Sequence, residues 1–302
     1  MTLILKLDNI FYGNIIKRPS VVSKTPYVAD VIVENDDITT CCHTPSLGCC
    51  GMADAGSTVL MSKLENQKCI SKYRAELSIY SEHHGEVIVG INPKLSETIA
   101  EQCLKMNLIQ NLTNIKSYVR EKTYMNSRFD FAGIDSNGKE FIMEIKAVPQ
   151  ADYYDVDQKS RKNYKHEIIK KDFHEKIAYF PDGFRKSSSK NEPISARALK
   201  HIQELEILAK VQKIRTILCF IIQRSDTEIF QTSHIDPIYR EAVLKAYQNG
   251  VEIKTVQVHW TRDGDCYFVK NNSPIVLSDT IGPHYQRQLK KLKVVKKIKT
   301  ES

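Results

Sequence analysis

Ser127-Arg128-Phe129-Asp130-Phe131, then Asp135-Ser136-Asn137-Gly138, then Phe141-Ile142-Met143-Glu144-Ile145-Lys146 is the stretch on which both fold and chemistry turn. Two runs with β-strand composition flank a turn, so the segment reads as a hairpin. If Ser136, Asn137 and Gly138 form a three-residue loop with Gly138 left-handed, Asp130 lies opposite Glu144 and Arg128 opposite Lys146. Facing residues share a side of the sheet, so two carboxylates and an ammonium converge. A two-residue loop at Asn137-Gly138 would instead put Asp130 and Glu144 on opposite faces. Loop type therefore decides whether a site exists.

Carboxylates that close repel each other unless a cation lies between them. One or two carboxylates, with waters and a substrate phosphate, make the oxygen shell that Mg²⁺ prefers. Such an ion activates water and stabilises charge on a phosphate, and Lys146 is placed to orient the attacking hydroxide. The plainer reading is an exposed hairpin face with Glu–Lys pairing. Against it stands Asp130, set between Phe129 and Phe131, where an unpartnered carboxylate is costly.

Outward from the hairpin, the pattern alternates between helices and strands. Ile99, Cys103 and Met106 follow a possible cap at Ser96. Ile115–Arg120, Phe129–Ile134 and Phe141–Val148 read as strands. Ser195–Lys210 reads as a helix with Ala198, Ile202, Leu205, Leu208 and Ala209 on one side, and Thr216–Ile222 as a buried strand. Asp236-Pro237 opens a helix that stops at Asn249-Gly250, and Val251–Val258 is a further strand. This is an α/β domain. Residues 1–92 differ: short strands at Leu3–Leu7, Tyr27–Val33, Ser57–Met61, Ala75–Tyr80 and Glu86–Ile91, with no crossover helix, suggest a small β-barrel. The expected division is a barrel over 1–92, an α/β domain over 93–280 and a tail over 281–302.

The 302 residues are 41% apolar and 26% charged, which excludes a disordered chain and a coiled-coil rod. No apolar run approaches the length of a membrane span, and the N-terminus lacks the basic region of a secretory signal. A cytoplasmic location without a membrane partner is expected. Much of the net charge of +8 sits at the end of the chain, where Arg287, Lys290, Lys291, Lys293, Lys296, Lys297 and Lys299 face only Glu301. Such a solvated arm attracts polyanions, nucleic acid first among them. Of eight cysteines, Cys41-Cys42 and Cys49-Cys50 form adjacent pairs that do not match zinc-ligand spacing. Reduced thiols are expected.

Arg128-Phe129-Asp130-Phe131, Glu144-Ile145-Lys146, Tyr179-Phe180-Pro181-Asp182, Lys200-His201-Ile202-Gln203-Glu204-Leu205, His234-Ile235-Asp236-Pro237 and Gly250-Val251-Glu252-Ile253 come in the order found in the sugar fermentation stimulation protein (SfsA) family, which the chain resembles from about Arg120 to Val258. Tyr27-Val28-Ala29-Asp30-Val31 and Ala53-Asp54-Ala55-Gly56 extend the likeness, while Cys41–Leu47 departs from the family's pattern. The stretch from about 150 to 176 looks like an insertion. The resemblance implies an N-terminal OB-like β-barrel followed by a PD-(D/E)XK nuclease-like α/β domain. It implies DNA as partner, single strands included, and with the residues above a Mg²⁺- or Mn²⁺-dependent nuclease; little sequence preference is expected because no helix-turn-helix or finger spacing points to base reading. The alternative is a non-catalytic DNA-binding protein of the same fold. Asp130 and Glu144 would be metal ligands and Lys146 the catalytic lysine. A helix glutamate would join them; Glu101 and Glu97 are both eligible, with Glu101 the expected ligand. Arg128, Lys200 and His201 would meet nucleic acid; Lys290, Lys291, Lys293, Lys296 and Lys297 of the tail, which is extra to the family's pattern, would join them through charge. Tyr27, Lys63, Lys72, Tyr73 and Arg74 are available for an OB-type groove.

Overall fold

The structure, a computed structural model, describes residues 1–34, 38–46, 51–65, 69–181, 192–271, 273, 275 and 276. Cys49, Cys50, Asp182 and the basic tail lie outside the described residues. Strand β1 (Thr2–Lys6) precedes β2 (Ile10–Lys17), β3 (Val28–Val33), β4 (Thr39–His43), β5 (Thr58–Lys63), β6 (Tyr73–Glu82) and β7 (Gly85–Gly90). Strands β2 to β6 close into a five-stranded barrel in the order β2-β3-β4-β6-β5, and β7 extends β6 as a hairpin. The closing pair, β4 and β6, runs parallel, with Cys42 opposite Tyr73 and His43 opposite Arg74. This is an OB-like barrel. Its interior is tight at Gly13, where a Cβ would come within 2.5 Å of Met61 Cε and 2.6 Å of Val31 Cγ2. A barrel this narrow needs glycine there.

Leu3–Leu7, expected among the barrel strands, belongs elsewhere. Strand β1 pairs antiparallel with β16 (Asp265–Asn271) at the edge of the second domain's sheet. A short alternating run shows that a strand exists but carries no information about its partner.

The second domain runs α1 (Pro93–Lys105), β8 (Ser117–Tyr124), β9 (Ser127–Ile134), β10 (Glu140–Val148), β11 (Ala151–Asp152), the short helices α2 (Gln158–Arg161) and α3 (Lys165–Ile168), β12 (Lys176–Phe180), α4 (Ala196–Gln212), β13 (Arg215–Ile222), β14 (Thr227–Thr232), α5 (Pro237–Gln248), β15 (Glu252–Trp260), β16 and β17 (Ile275–Val276). Its main sheet has the order β1-β16-β15-β13-β10-β9-β8, and a smaller one the order β11-β12-β14-β17. β10, β13 and β15 are mutually parallel. They carry the near-continuous apolar runs expected of strands covered on both faces.

One face of the sheet packs under α1, through Ile99, Cys103, Met143, Ile217 and Val256, in a core that also takes Leu60, Leu77 and Ile88 from the barrel. The other packs under α4 and α5, through Ile202, Leu205, Leu208, Phe220 and Val243. Because barrel and sheet share a core, their relative placement is fixed by packing. Helix α1 starts earlier than a cap at Ser96 would give. Asn92 is the cap, its side chain accepting from Lys94 N, and Pro93 supplies the first helical residue. Ser96 is buried and accepts a hydrogen bond from Gln223 Nε2 at 2.7 Å.

The stretch near 150–176 joins barrel to sheet. Lys176, fully buried, donates to Asp226 at 2.8 Å and to Phe173 O at 3.0 Å, and pairs with Glu82 of β6 at 3.1 Å. Arg224 grips both oxygens of Asp226, at 2.6 and 2.7 Å. Buried charges persist only when matched in this way. Among the described residues no helix is long and apolar enough to cross a membrane.

Candidate active site

The hairpin loop is the three-residue one. Glu140 faces Ile134, Phe141 faces Gly133, Ile142 faces Ala132 and Met143 faces Phe131. Gly138 has φ +80° and its N–H donates to Asp135 O. The Asp135 carboxylate closes the turn by accepting from Asn137 N and Lys139 N, both at 2.9 Å. Beyond Phe131 the regular ladder stops, and the carboxylate of Asp130 takes the N–H of Ile145 at 2.6 Å. Phe131 packs on the α1 side, whereas Phe129 and Ala132 pack on the α4 side. Alternation is therefore interrupted at Asp130, where the strand turns its carboxylate into a cleft.

That cleft, of about 290 Å³, is lined by Asp130, Glu144 and Lys146 together with Glu97, Gln150 and Arg197. Glu144 is 3% exposed. Its Oε1 accepts from Lys146 Nζ and from His201 Nδ1, both at 2.5 Å, while Oε2 is buried with no hydrogen-bond partner. Burial opposes the charge of Glu144, yet Lys146 and His201 outweigh it and hold the carboxyl below its usual range. Asp130 goes the other way. Burial first, then the neighbouring Glu144 charge, push it up to about 7.

The other sequence candidates divide. Glu97 lines the cleft, with its carboxylate on Arg120 at 2.9 Å. Glu101 is held elsewhere, by Tyr118 at 2.8 Å, Arg120 at 3.0 Å and Lys105 at 3.3 Å. One helical turn separates them, and periodicity does not tell which turn reaches the strand end. His201, expected to meet nucleic acid, is 4% exposed and is spent on Glu144. Lys200 is exposed and donates to Asn126 O at 2.5 Å. Arg128 is exposed beside Glu121 at 3.3 Å. On the barrel, Tyr73 is buried edge-on against Phe11 and Arg74 is paired with Glu76, so neither offers a free face, while Lys63 and Lys72 line a groove beside them. Tyr27 is exposed. Cys41 and Cys42 are both buried on β4. Gln150 and Arg197 were not foreseen. The only signal for Arg197 was its place in the first turn after the helix start at Ser195.

Residues 94–264 match the family described as "Sugar fermentation stimulation protein RE domain". The chain is 28% identical over 247 residues to a sugar fermentation stimulation protein homolog of Clostridium tetani, covering 81% of this chain and 88% of that protein. It is 30% identical over 253 residues to the homolog of Alteromonas mediterranea, covering 81% and 89%. Among solved structures it is similar to SfsA of Pyrococcus furiosus, described in complex with Ca²⁺, with TM-score 0.69, 18% identity and coverage of 91% of this chain and 100% of that one. At that identity the likeness speaks for the fold.

Proposed function

We propose, from the premise that this chain belongs to the sugar fermentation stimulation protein (SfsA) family, that it binds DNA and hydrolyses phosphodiester bonds with a divalent cation, Mg²⁺ or Mn²⁺, showing little sequence preference. One observation carries this reading: the buried, partnerless Oε2 of Glu144 in the same cleft as Asp130. A buried carboxylate oxygen that accepts nothing is costly. A cation held by Asp130 and Glu144 would satisfy that oxygen and relieve the repulsion that raises Asp130. The residues fit such an ion, and the Ca²⁺ of the Pyrococcus furiosus protein supports the same reading.

When bound, the ion would supply Lewis-acid stabilisation of a phosphate and a more acidic water. The chain supplies the rest. Lys146 and His201 together hold Oε1 of Glu144, which fixes the carboxylate's rotation and leaves Oε2 free. Lys146, 12% exposed at its side chain, borders the cleft and can steady negative charge on an attacking oxygen or on the phosphate. The Ile145 N–H orients Asp130.

A DNA-binding protein without turnover is the second reading. It is favoured by Glu97, whose carboxylate is engaged by Arg120. Incubation with single- and double-stranded DNA in Mg²⁺, Mn²⁺ or EDTA separates the two. Cleavage in Mg²⁺ or Mn²⁺ that EDTA stops supports hydrolysis. Tight binding with intact DNA under every condition overturns it.

A further inference from the structure

The cleft has a second wall that the metal ligands do not use. Helix α4 begins there: Ser195 and Arg197 line the cleft, and the Ser195 side chain caps the helix by accepting from Ala198 N at 3.2 Å. The N-terminal end of a 17-residue helix carries partial positive charge, usually balanced by an acidic residue in the first turn. Here that turn has no acidic residue and holds Arg197 instead. A cation is misplaced at that end unless an anion arrives. Arg197 is exposed and, among the described residues, has no ion-pair or hydrogen-bond partner.

Gln150 points the same way independently. It lies two residues past β10, is 8% exposed, and its Nε2 is buried without a partner. The Gln150 backbone is already used, its carbonyl accepting from Tyr179 N at 3.2 Å, so the side-chain amide is the group left over. An orphaned amide donor, an unbalanced helix N-terminus and an unpaired guanidinium border one cleft. All three donate and none accepts. Their shared complement is an anion with several oxygens, which phosphate matches.

We propose that the first turn of α4, Arg197 and the side-chain amide of Gln150 hold a second backbone phosphate of the bound strand, next to the phosphate brought to Asp130 and Glu144. This rests on the hydrolytic reading above. It adds that the cleft grips a strand at two successive phosphates, so a lone nucleotide or free phosphate is a poor ligand. The phosphate contacts set position along the strand and read no bases.

The test uses the full chain with Ca²⁺ replacing Mg²⁺, a fluorescein-labelled oligothymidylate as probe, and inorganic phosphate as competitor. Arg197→Ala is expected to weaken oligonucleotide binding about tenfold at low salt, as loss of a charge-assisted hydrogen bond does. It should reduce the salt slope by about 0.7, the single-strand value for one phosphate contact. Arg197→Lys should restore the slope and part of the affinity. Gln150→Leu should weaken binding several-fold with the slope unchanged, because an amide carries no charge. All three variants should bind Ca²⁺ in calorimetry as the parent does, whereas Asp130→Asn should not. If Asp130→Asn loses Ca²⁺ while Arg197→Ala keeps parental affinity and slope, the second phosphate site is wrong and the metal reading stands. If Asp130→Asn binds Ca²⁺ like the parent, the reading beneath it has failed. Competition by millimolar inorganic phosphate as effective as that of the unlabelled strand would overturn the two-phosphate grip.

Discussion

His201 Nδ1 lies 2.5 Å from Glu144 Oε1, so a helix on one side of the sheet fixes a carboxylate that a strand presents to the cleft. The imidazole also packs against Phe129, ring centroids 5.7 Å apart, which limits its own rotation. Replacing His201 with Ala should free Glu144 to turn. Partners of this kind typically contribute 10–100-fold to metal affinity, and a loss of about that size is expected in a Ca²⁺ titration. Retention of parental affinity would show that Lys146 alone suffices to orient Glu144.

Asp130→Asn and Glu144→Gln should abolish metal-dependent cleavage while DNA affinity holds or rises. Each removes a negative charge near the incoming phosphate while removing a ligand from the ion. Cleavage assays and fluorescence anisotropy on the same preparations check this. Parental cleavage rates in either variant would place the chemistry elsewhere.

Stability should fall on the acid side through the seam between barrel and sheet. Burial opposes the charge on Glu82 and Asp226, but hydrogen bonds and nearby cations prevail: Tyr80 and Lys176 for Glu82, Arg224 and Lys176 for Asp226. Both carboxyls are held below their unfolded values, so the unfolded chain binds more protons as pH drops. Their contribution is complete above the ordinary carboxylate pKa and is lost as pH falls through the lower folded values. The melting temperature should therefore decline below about pH 4. Asp226→Asn should destabilise by about 3–5 kcal/mol at neutral pH, because it leaves Arg224 and Lys176 buried without their shared anion. Denaturant unfolding of parent and variant measures both effects.

Deleting residues 287–302, which lie outside the described residues, should weaken DNA binding almost equally for all sequences. The salt slope should fall by fewer than seven phosphate units of about 0.7–0.9 each, since not every one of the seven cations engages at once. An unchanged slope with a lowered melting temperature would mark the tail as part of the fold.

The hairpin was legible from the Asp135–Gly138 turn between two strand-like runs, but its register stayed open between two loop types until the pairing of Glu140 with Ile134 selected the three-residue one. Helices α4 and α5 were legible because Ser195 and Asp236 carry unambiguous start signals. What was not legible shares one cause, namely that it depends on contacts between residues distant in sequence. His201 looks like any polar helix residue until β10 is packed beneath it. Glu97 and Glu101 differ only in which turn of α1 meets the end of β9. Strand β1 has a half-buried pattern that would suit either sheet.

The pairing of β1 with β16 has a consequence for synthesis. Residues 2–6 are made about 260 residues ahead of their partner at 265–271. The barrel can close while the ribosome is still at work, since its strands are consecutive, but β1 must wait, unpaired, until β16 has emerged. Nor can the α/β part be cut free at residue 93. Expressed alone it would present the bare edge of β16, a ready template for intermolecular pairing and aggregation. Two folds that look separable along the sequence are thus produced as one unit, sealed by a strand that precedes the barrel.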